Sequence, residues 1–369
     1  MESIARVIAI YLPQFHPIPE NDLWWGKGFT EWTNVGKARP LFRGHYQPRV
    51  PTDLGYYDLR VPETRKAQAD MARDAGIEGF MYWHYWFGNG KRLIERPFNE
   101  VVASGEPDFP FSLAWANESW KGFNHGLKNR NTLIEQVYPG EQDIIDHFNT
   151  LLAAFKDSRY IKVDGKLLFM IYKPLQHPDI KRFIEIWQEL AQKSALPGFY
   201  FVAHHQTVRE FDNASEEETL NNMLNLGFSA VNFVRLHNVL EQRNLASKIS
   251  SRLNKITRGM PLIVPYKKAA RFFTKEIDKN IHAIPSIIPG WDHTPRSKKE
   301  GLVMTGSDPY EFSVHIKKVL KNISNKPLEN RLVFIKSWNE WAEGNYMEPD
   351  LKWGNQFLQK LKEELKPKK

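Results

Sequence analysis

Cysteine is absent from all 369 residues. That excludes a disulfide framework, a thiolate metal site and a cysteine nucleophile. Long hydrophobic runs are absent too; nothing approaches the roughly 20 apolar residues of a membrane-crossing helix. The opening residues, MESIARVIAIYLPQFH, lack a basic start, a sufficient apolar stretch and a small-residue cleavage site. No signal peptide is expected, and a cytoplasmic location is. There is no P-loop and no Gly-x-Gly-x-x-Gly, so no glycine-rich loop is expected to cradle phosphates. There is no Asp-x-Asp pair. The adjacent His204 and His205 lack a third ligand at a recognisable spacing, so neither a metal nor any other cofactor is expected.

Aromatic residues, by contrast, make up 13% of the chain, with twelve tryptophans. Indole faces suit flat ligands such as sugar rings, and they equally suit a large core. The net charge is +8, but it is not evenly spread. From Arg235 to Ile281 eleven Lys/Arg stand against three Asp/Glu, which accounts for the whole excess. The segment reads either as a solvated helical face or as a contact for an anionic surface, such as the inner face of a membrane. Its basic and aromatic residues do not alternate and no nucleic-acid motif is present, so nucleic acid is not expected as a partner.

Short β-rich runs alternate with longer amphipathic stretches. The runs are 5–12, 79–87, 111–118, 166–174, 199–206, 228–235, 283–292 and 331–340. Helical stretches at 62–76, 92–104, 141–157, 179–195, 215–227, 308–322 and 354–365 separate or follow them. Strict alternation predicts parallel strands joined by crossovers, and eight units predict an α/β fold closed as a (β/α)8 barrel of the TIM type. With no repeat and no linker, residues 1–369 read as a single domain. It carries a long loop after the first strand and a basic helical insertion, 236–281, between strands six and seven.

In such barrels chemistry gathers at the C-terminal ends of the strands. The residues there are polar and aromatic. Trp25 and Glu31 lie on the first loop. At the end of the second strand stand His84 and Tyr85, and at the end of the third Trp115, Asn117 and Glu118. Trp291 and Asp292 end the seventh, and Arg296 follows it. Several have two readings: His84 is a site residue or a satisfied core histidine, Trp25 and Trp115 stack on sugar or pack, and Arg296 meets substrate or pairs with Asp292. After the eighth strand comes SWNEWAEGNYMEPD, which sets Asn339, Glu340, Trp341, Glu343 and Glu348 within a few residues of each other.

YLPQFHPIPENDLWWGKGFTEWTNV, MYWHYWF, LAWANESW, PGWDHTPR and WNEWAEGNYMEPD together resemble the WbsX-type proteins, which carry a glycoside-hydrolase-family-99-like domain. The resemblance runs from Tyr11 to about Pro349 and reaches, more remotely, the endo-α-mannosidases. It implies a (β/α)8 barrel that acts on glycans, with Glu340 and Glu343 as the functional carboxylates and no metal. It also implies that Glu343 is the general acid/base, while Glu340 deprotonates the sugar's own 2-hydroxyl to give a 1,2-anhydro intermediate. The mannosidases usually carry histidine at the position of Ala342, so the resemblance does not extend to a mannoside substrate.

The residue types suit that chemistry. Glycosidic cleavage needs two carboxyl groups in different protonation states. Residues three apart on a helical turn stand about 5–6 Å apart at Cβ, and like charges that close push their pKa values apart. The expectation is a retaining, endo-acting glycoside hydrolase on a polysaccharide or a lipid-linked glycan. The alternatives are a glycosyltransferase or transglycosidase in cell-surface polysaccharide synthesis, and a glycan-binding protein without catalysis.

Overall fold

Eight runs of Val, Ile, Leu and aromatic residues, buried on both faces, form the strands of one closed parallel barrel, as continuous apolar runs do when helices cover the outside. They are β1 (Arg6–Tyr11), β2 (Gly79–His84), β3 (Phe111–Trp115), β4 (Lys166–Ile171), β5 (Phe199–Gln206), β6 (Ala230–Val234), β7 (Ala283–Ile287) and β8 (Leu332–Ile335). This computed structural model describes residues 3–122, 131–206, 214–242 and 245–367. Each strand pairs in parallel with its neighbours in chain order. Leu113 of β3 lies beside Phe169 of β4, and Ile8 of β1 beside Phe334 of β8, which closes the ring. The architecture is a (β/α)8 TIM barrel.

The helices are α1 (Pro62–Asp74), α2 (Arg96–Ser104), α3 (Glu141–Phe155), α4 (Ile180–Lys193), α5 (Glu216–Asn225), α6 (Leu245–Arg258), α7 (Pro309–Ile323) and α8 (Gln356–Leu365). Local chemistry sets their starts. Asp179 and Asp308 accept from the backbone N–H three residues on, and Ser215 with Glu218 forms a capping box. Much of the aromatic content is core. Trp187 of α4 lies 4.8 Å from Phe169, and Phe155 of α3 lies 4.9 Å from Phe199, between barrel and helices.

Two excursions shape the mouth. The first loop runs from Leu12 to Val61 and carries the short helices Pro19–Trp25 and Glu31–Gly36. The second, after β6, is not wholly helical as its composition suggested. Besides α6 it contains a strand, Leu262–Pro265, parallel to Leu302–Thr305 from beyond β7. The run LIVP, bounded by prolines, is too short and too apolar for a helix. This pair supports a satellite core of Val234, Val239, Val264, Tyr266, Ile288 and Trp291. Helix α6 does not cover the barrel. The turn Glu276–Lys279 takes that place and packs on β7 and α7. Arg243, counted in the basic segment, lies outside the described residues. Among the described residues no helix is long and apolar enough to cross a membrane.

Candidate active site

Past β8 the chain forms a tight hairpin rather than the helical turn that a three-residue spacing of glutamates suggests. Asn339–Glu340 pairs antiparallel with Asn345–Tyr346, and Trp341–Glu343 makes a 3₁₀ turn between them. Gly344 closes it at a φ of 56°, where a Cβ would stand 2.7 Å from the Cβ of Asp292. Glycine is required there both by the backbone and by the space.

Several predicted site residues build this hairpin instead of facing a ligand. The Asn339 side chain accepts from the Leu12 N–H at 2.7 Å and donates to the Leu12 carbonyl at 3.0 Å, which staples the hairpin to the end of β1. Trp341, fully buried, stacks on Tyr346 at 3.8 Å and donates to Glu348 at 2.5 Å. Glu348 also accepts from Gln68 at 2.6 Å and Tyr57 at 2.9 Å. Burial outweighs these bonds and pushes its carboxyl up to about 7. The Asp292 N–H donates to the Glu343 carbonyl at 2.6 Å. Its carboxylate accepts from Gln47 at 2.7 Å and Thr294 Oγ1 at 2.6 Å, and meets His45 Nε2 at 2.8 Å. Burial opposes ionisation there, yet His45, Arg49 and Thr294 bring that carboxyl down to about 2.

Arg296 is the centre of the cluster. It does not pair with Asp292. It meets Glu343 at 2.7 Å, Glu31 at 3.1 Å and Glu340 at 3.4 Å. Burial and the neighbouring Glu343 push Glu340 up to about 7. Glu343 faces a second cation, the Lys336 ammonium at 3.7 Å. Three carboxyl groups thus share two cations. One proton balances the cluster, and Glu340 is the group whose surroundings favour carrying it.

Strand alternation decides the remaining candidates. On β2, Trp83 points towards Tyr172 and His204 and His84 points outward, and just past the strand Tyr85 returns to the mouth. His84 meets His147 of α3 at 2.8 Å in the layer between barrel and helices, so it is the satisfied core histidine. Burial pushes the Tyr85 hydroxyl up, and Glu340, Glu118 and Glu343 add to the rise. Trp115 also points outward. It stacks on Phe183 at 5.2 Å and donates to the Trp86 carbonyl at 2.9 Å, so it is a packing residue. The Asn117 amide ties both backbone groups of Lys173, at 2.7 and 2.8 Å, and so links the loops after β3 and β4. Glu118 pairs with Lys173 at 2.5 Å, within electrostatic reach of Tyr85 and Tyr172. Trp25 stacks on Phe29 at 4.8 Å within the first loop. Trp291 lies under the Lys336 ammonium, 5.5 Å from its ring. The structure thus brings Glu31, Tyr85, Trp291, Arg296, Glu340 and Glu343 to one place. Lys336 joins it unannounced, and His45, Gln47 and Arg49, equally unannounced, hold Asp292 beside it. For Lys336 the signal was available, because a lysine that ends a buried strand such as RLVFIK has only the mouth to reach.

Comparison with known proteins agrees with the barrel fold. A glycoside hydrolase-like protein superposes with a TM-score of 0.59 at 16% identity, covering 100% of this chain and 95% of that one. The GH99 endo-alpha-mannosidase from Bacteroides thetaiotaomicron superposes with a TM-score of 0.55 at 14% identity, over 97% and 96% of the two chains. These likenesses are of fold. In sequence, the uncharacterized protein WxcX of Xanthomonas campestris pv. campestris (strain B100) is 32% identical over 371 residues. The match takes in 98% of this chain and 50% of WxcX, so the chain spans about half the length of that relative. Residues 7–361 match the family described as Glycosyltransferase WbsX, and the chain belongs to that family.

Proposed function

We propose that this chain cleaves a glycosidic bond in a polysaccharide or lipid-linked glycan, with Glu340 and Glu343 as the reacting pair. The observation that carries the reading is the pair itself. Two glutamates at the mouth share one arginine, and Glu340, with its carboxyl pushed to about 7, is the group favoured to hold the proton. Such a pair supplies the acid and the base that acetal cleavage needs. The long first loop and the excursion after β6 flank the mouth, which favours endo action.

The route implied by the family resemblance balances as follows. Glu340, once ionised, takes the proton of the sugar's 2-hydroxyl, and that oxygen attacks C1. The leaving oxygen departs with a proton from Glu343. Water then attacks C1 and opens the three-membered ring. Glu343 takes the water's proton, and Glu340 returns one to O2. Two inversions retain configuration, and one water is consumed. Because the cluster favours the proton on Glu340 and sets both cations against Glu343, this route begins with passage of that proton to Glu343. The family's description favours a second reading, in which an acceptor hydroxyl replaces the water and the sugar is transferred.

A glycan assay in ¹⁸O-labelled water separates the two. It uses surface polysaccharide and lipid-linked intermediates, with nucleotide sugars in parallel, for wild type, Glu340→Gln and Glu343→Gln. Hydrolysis predicts label in a shortened product, lost in both variants. Chain growth that requires a nucleotide sugar, without label uptake, sinks hydrolysis and establishes transfer.

A further inference from the structure

A helix on a protein surface normally turns its apolar stripe to the core. Helix α6 does the reverse. Leu245, Ile249, Leu253 and Ile256 are 73%, 52%, 55% and 69% exposed. At 100° per residue these four positions fall within roughly 80° of one face. The opposite side carries Ser250, Ser251 and Asn254, which line a cavity of about 220 Å³ against Met260–Pro265 and Lys268. The polar side faces the body, and the apolar side faces out.

The charge pattern says what the stripe suits. Lys248, Arg252 and Lys255 run along one edge of it, offset by less than a quarter-turn. Lys255 also pairs with Glu300. Lys267, Lys268 and Arg271 follow in the same excursion, whose basic excess equals that of the whole chain. A narrow aliphatic stripe with a cationic edge matches the boundary between acyl chains and anionic headgroups. It fits an antiparallel second copy of itself poorly, because that stripe-to-stripe pairing sets both cationic edges on the same side. The excursion leaves the mouth end of β6, and its satellite core includes Ile288 and Trp291, just past β7. The stripe therefore sits on the side of the barrel where the glutamates are.

We propose that α6 is a membrane-docking helix, which lies in the interface of an anionic bilayer and holds the mouth of the barrel beside it. This does not depend on the reaction assigned to the barrel, because binding is measured without turnover.

The test is co-sedimentation of the full chain with phosphatidylcholine vesicles, with or without about 30% phosphatidylglycerol. Wild type is expected to pellet with the anionic vesicles, more weakly at high salt, and to stay in solution with the zwitterionic ones. The bound fraction is expected to fall about tenfold or more in an Ile249→Ser/Ile256→Ser variant and in a Lys248→Gln/Arg252→Gln variant. All four side chains are exposed, so both variants should keep the wild-type Tm, and that measurement certifies their fold. Absence of binding to anionic vesicles overturns the proposal, as does equal binding by the variants. So does concentration-dependent self-association in sedimentation that the Ile249→Ser/Ile256→Ser variant abolishes while vesicles bind nothing.

Discussion

At Glu340 burial and a like-charged neighbour outweigh one arginine, so its carboxyl rises to about 7. The consequence is testable in kinetics. The residue that protonates the leaving oxygen becomes dispensable when the leaving group needs no proton. With an aryl glycoside of low leaving-group pKa, the Gln variant of the acid should recover most of its first-step rate, and the other variant should not. Recovery in Glu343→Gln supports the proton passage described above. Recovery in Glu340→Gln instead shows that the resting arrangement is the working one. Glu348 offers a stability counterpart. Its carboxyl rises from 4.5 to about 7, so the native state binds the proton more tightly than the unfolded chain. The stabilisation is complete below the unfolded value and is lost as pH climbs through 7. The loss from this one group should reach roughly 2–3 kcal/mol between pH 5 and 8. Guanidinium unfolding of wild type at both pH values should show a decline to which Glu340, also raised to about 7, contributes, and Glu348→Gln should remove this group's share of it. An unchanged slope in the variant would refute the shift.

Among the elements, the β8 hairpin depends on one side chain. Asn339 satisfies both the N–H and the carbonyl of Leu12, in a fully buried position. Asn339→Ala leaves both without a partner, at a cost of about 2–4 kcal/mol in unfolding free energy. Turnover should fall as well, because the same hairpin presents both glutamates. A variant that unfolds at the wild-type denaturant midpoint would show the staple to be idle. Asn339 also marks the boundary of what sequence conveys. All eight strands and the helices around them were legible, because apolar runs and helical periodicity respond to burial, which is local. The expected strands at 79–87 and 111–118 overshoot β2 and β3 at their C-terminal ends, where aromatic residues of the mouth look like strand residues. The direction of individual side chains was not legible. His84 and Tyr85 are adjacent, yet one packs on α3 and the other faces the glutamates. A single step of strand alternation separates those fates, and only the register of the closed barrel fixes it. The Asp292 cluster was hidden for a different reason. His45, Gln47 and Arg49 come from a loop about 245 residues away in the chain, and no local pattern announces contacts of that range.

For the whole molecule, the question is how far the barrel depends on the excursion after β6. That excursion has two parts with different roles. The strand Leu262–Pro265 and its neighbours share a buried core with Ile288 and Trp291 and so support the loop that carries Arg296. None of the described side chains of helix α6 belongs to that core. Its four large apolar side chains already face solvent, so removing them forfeits little burial. Replacing Leu245–Arg258 by a flexible Gly/Ser segment of equal length should therefore shift Tm by only a few degrees, on the order of 1 kcal/mol. Turnover of a water-soluble oligosaccharide should be unchanged, while turnover of the same glycan presented on anionic vesicles should drop to the level set by free diffusion. The corresponding disruption of the strand, Val264→Asp, buries an unpaired charge in the satellite core and should lower turnover on both substrates. If the Gly/Ser replacement instead abolishes activity on the soluble substrate, α6 belongs to the catalytic architecture, and the division between a reacting barrel and a docking helix fails.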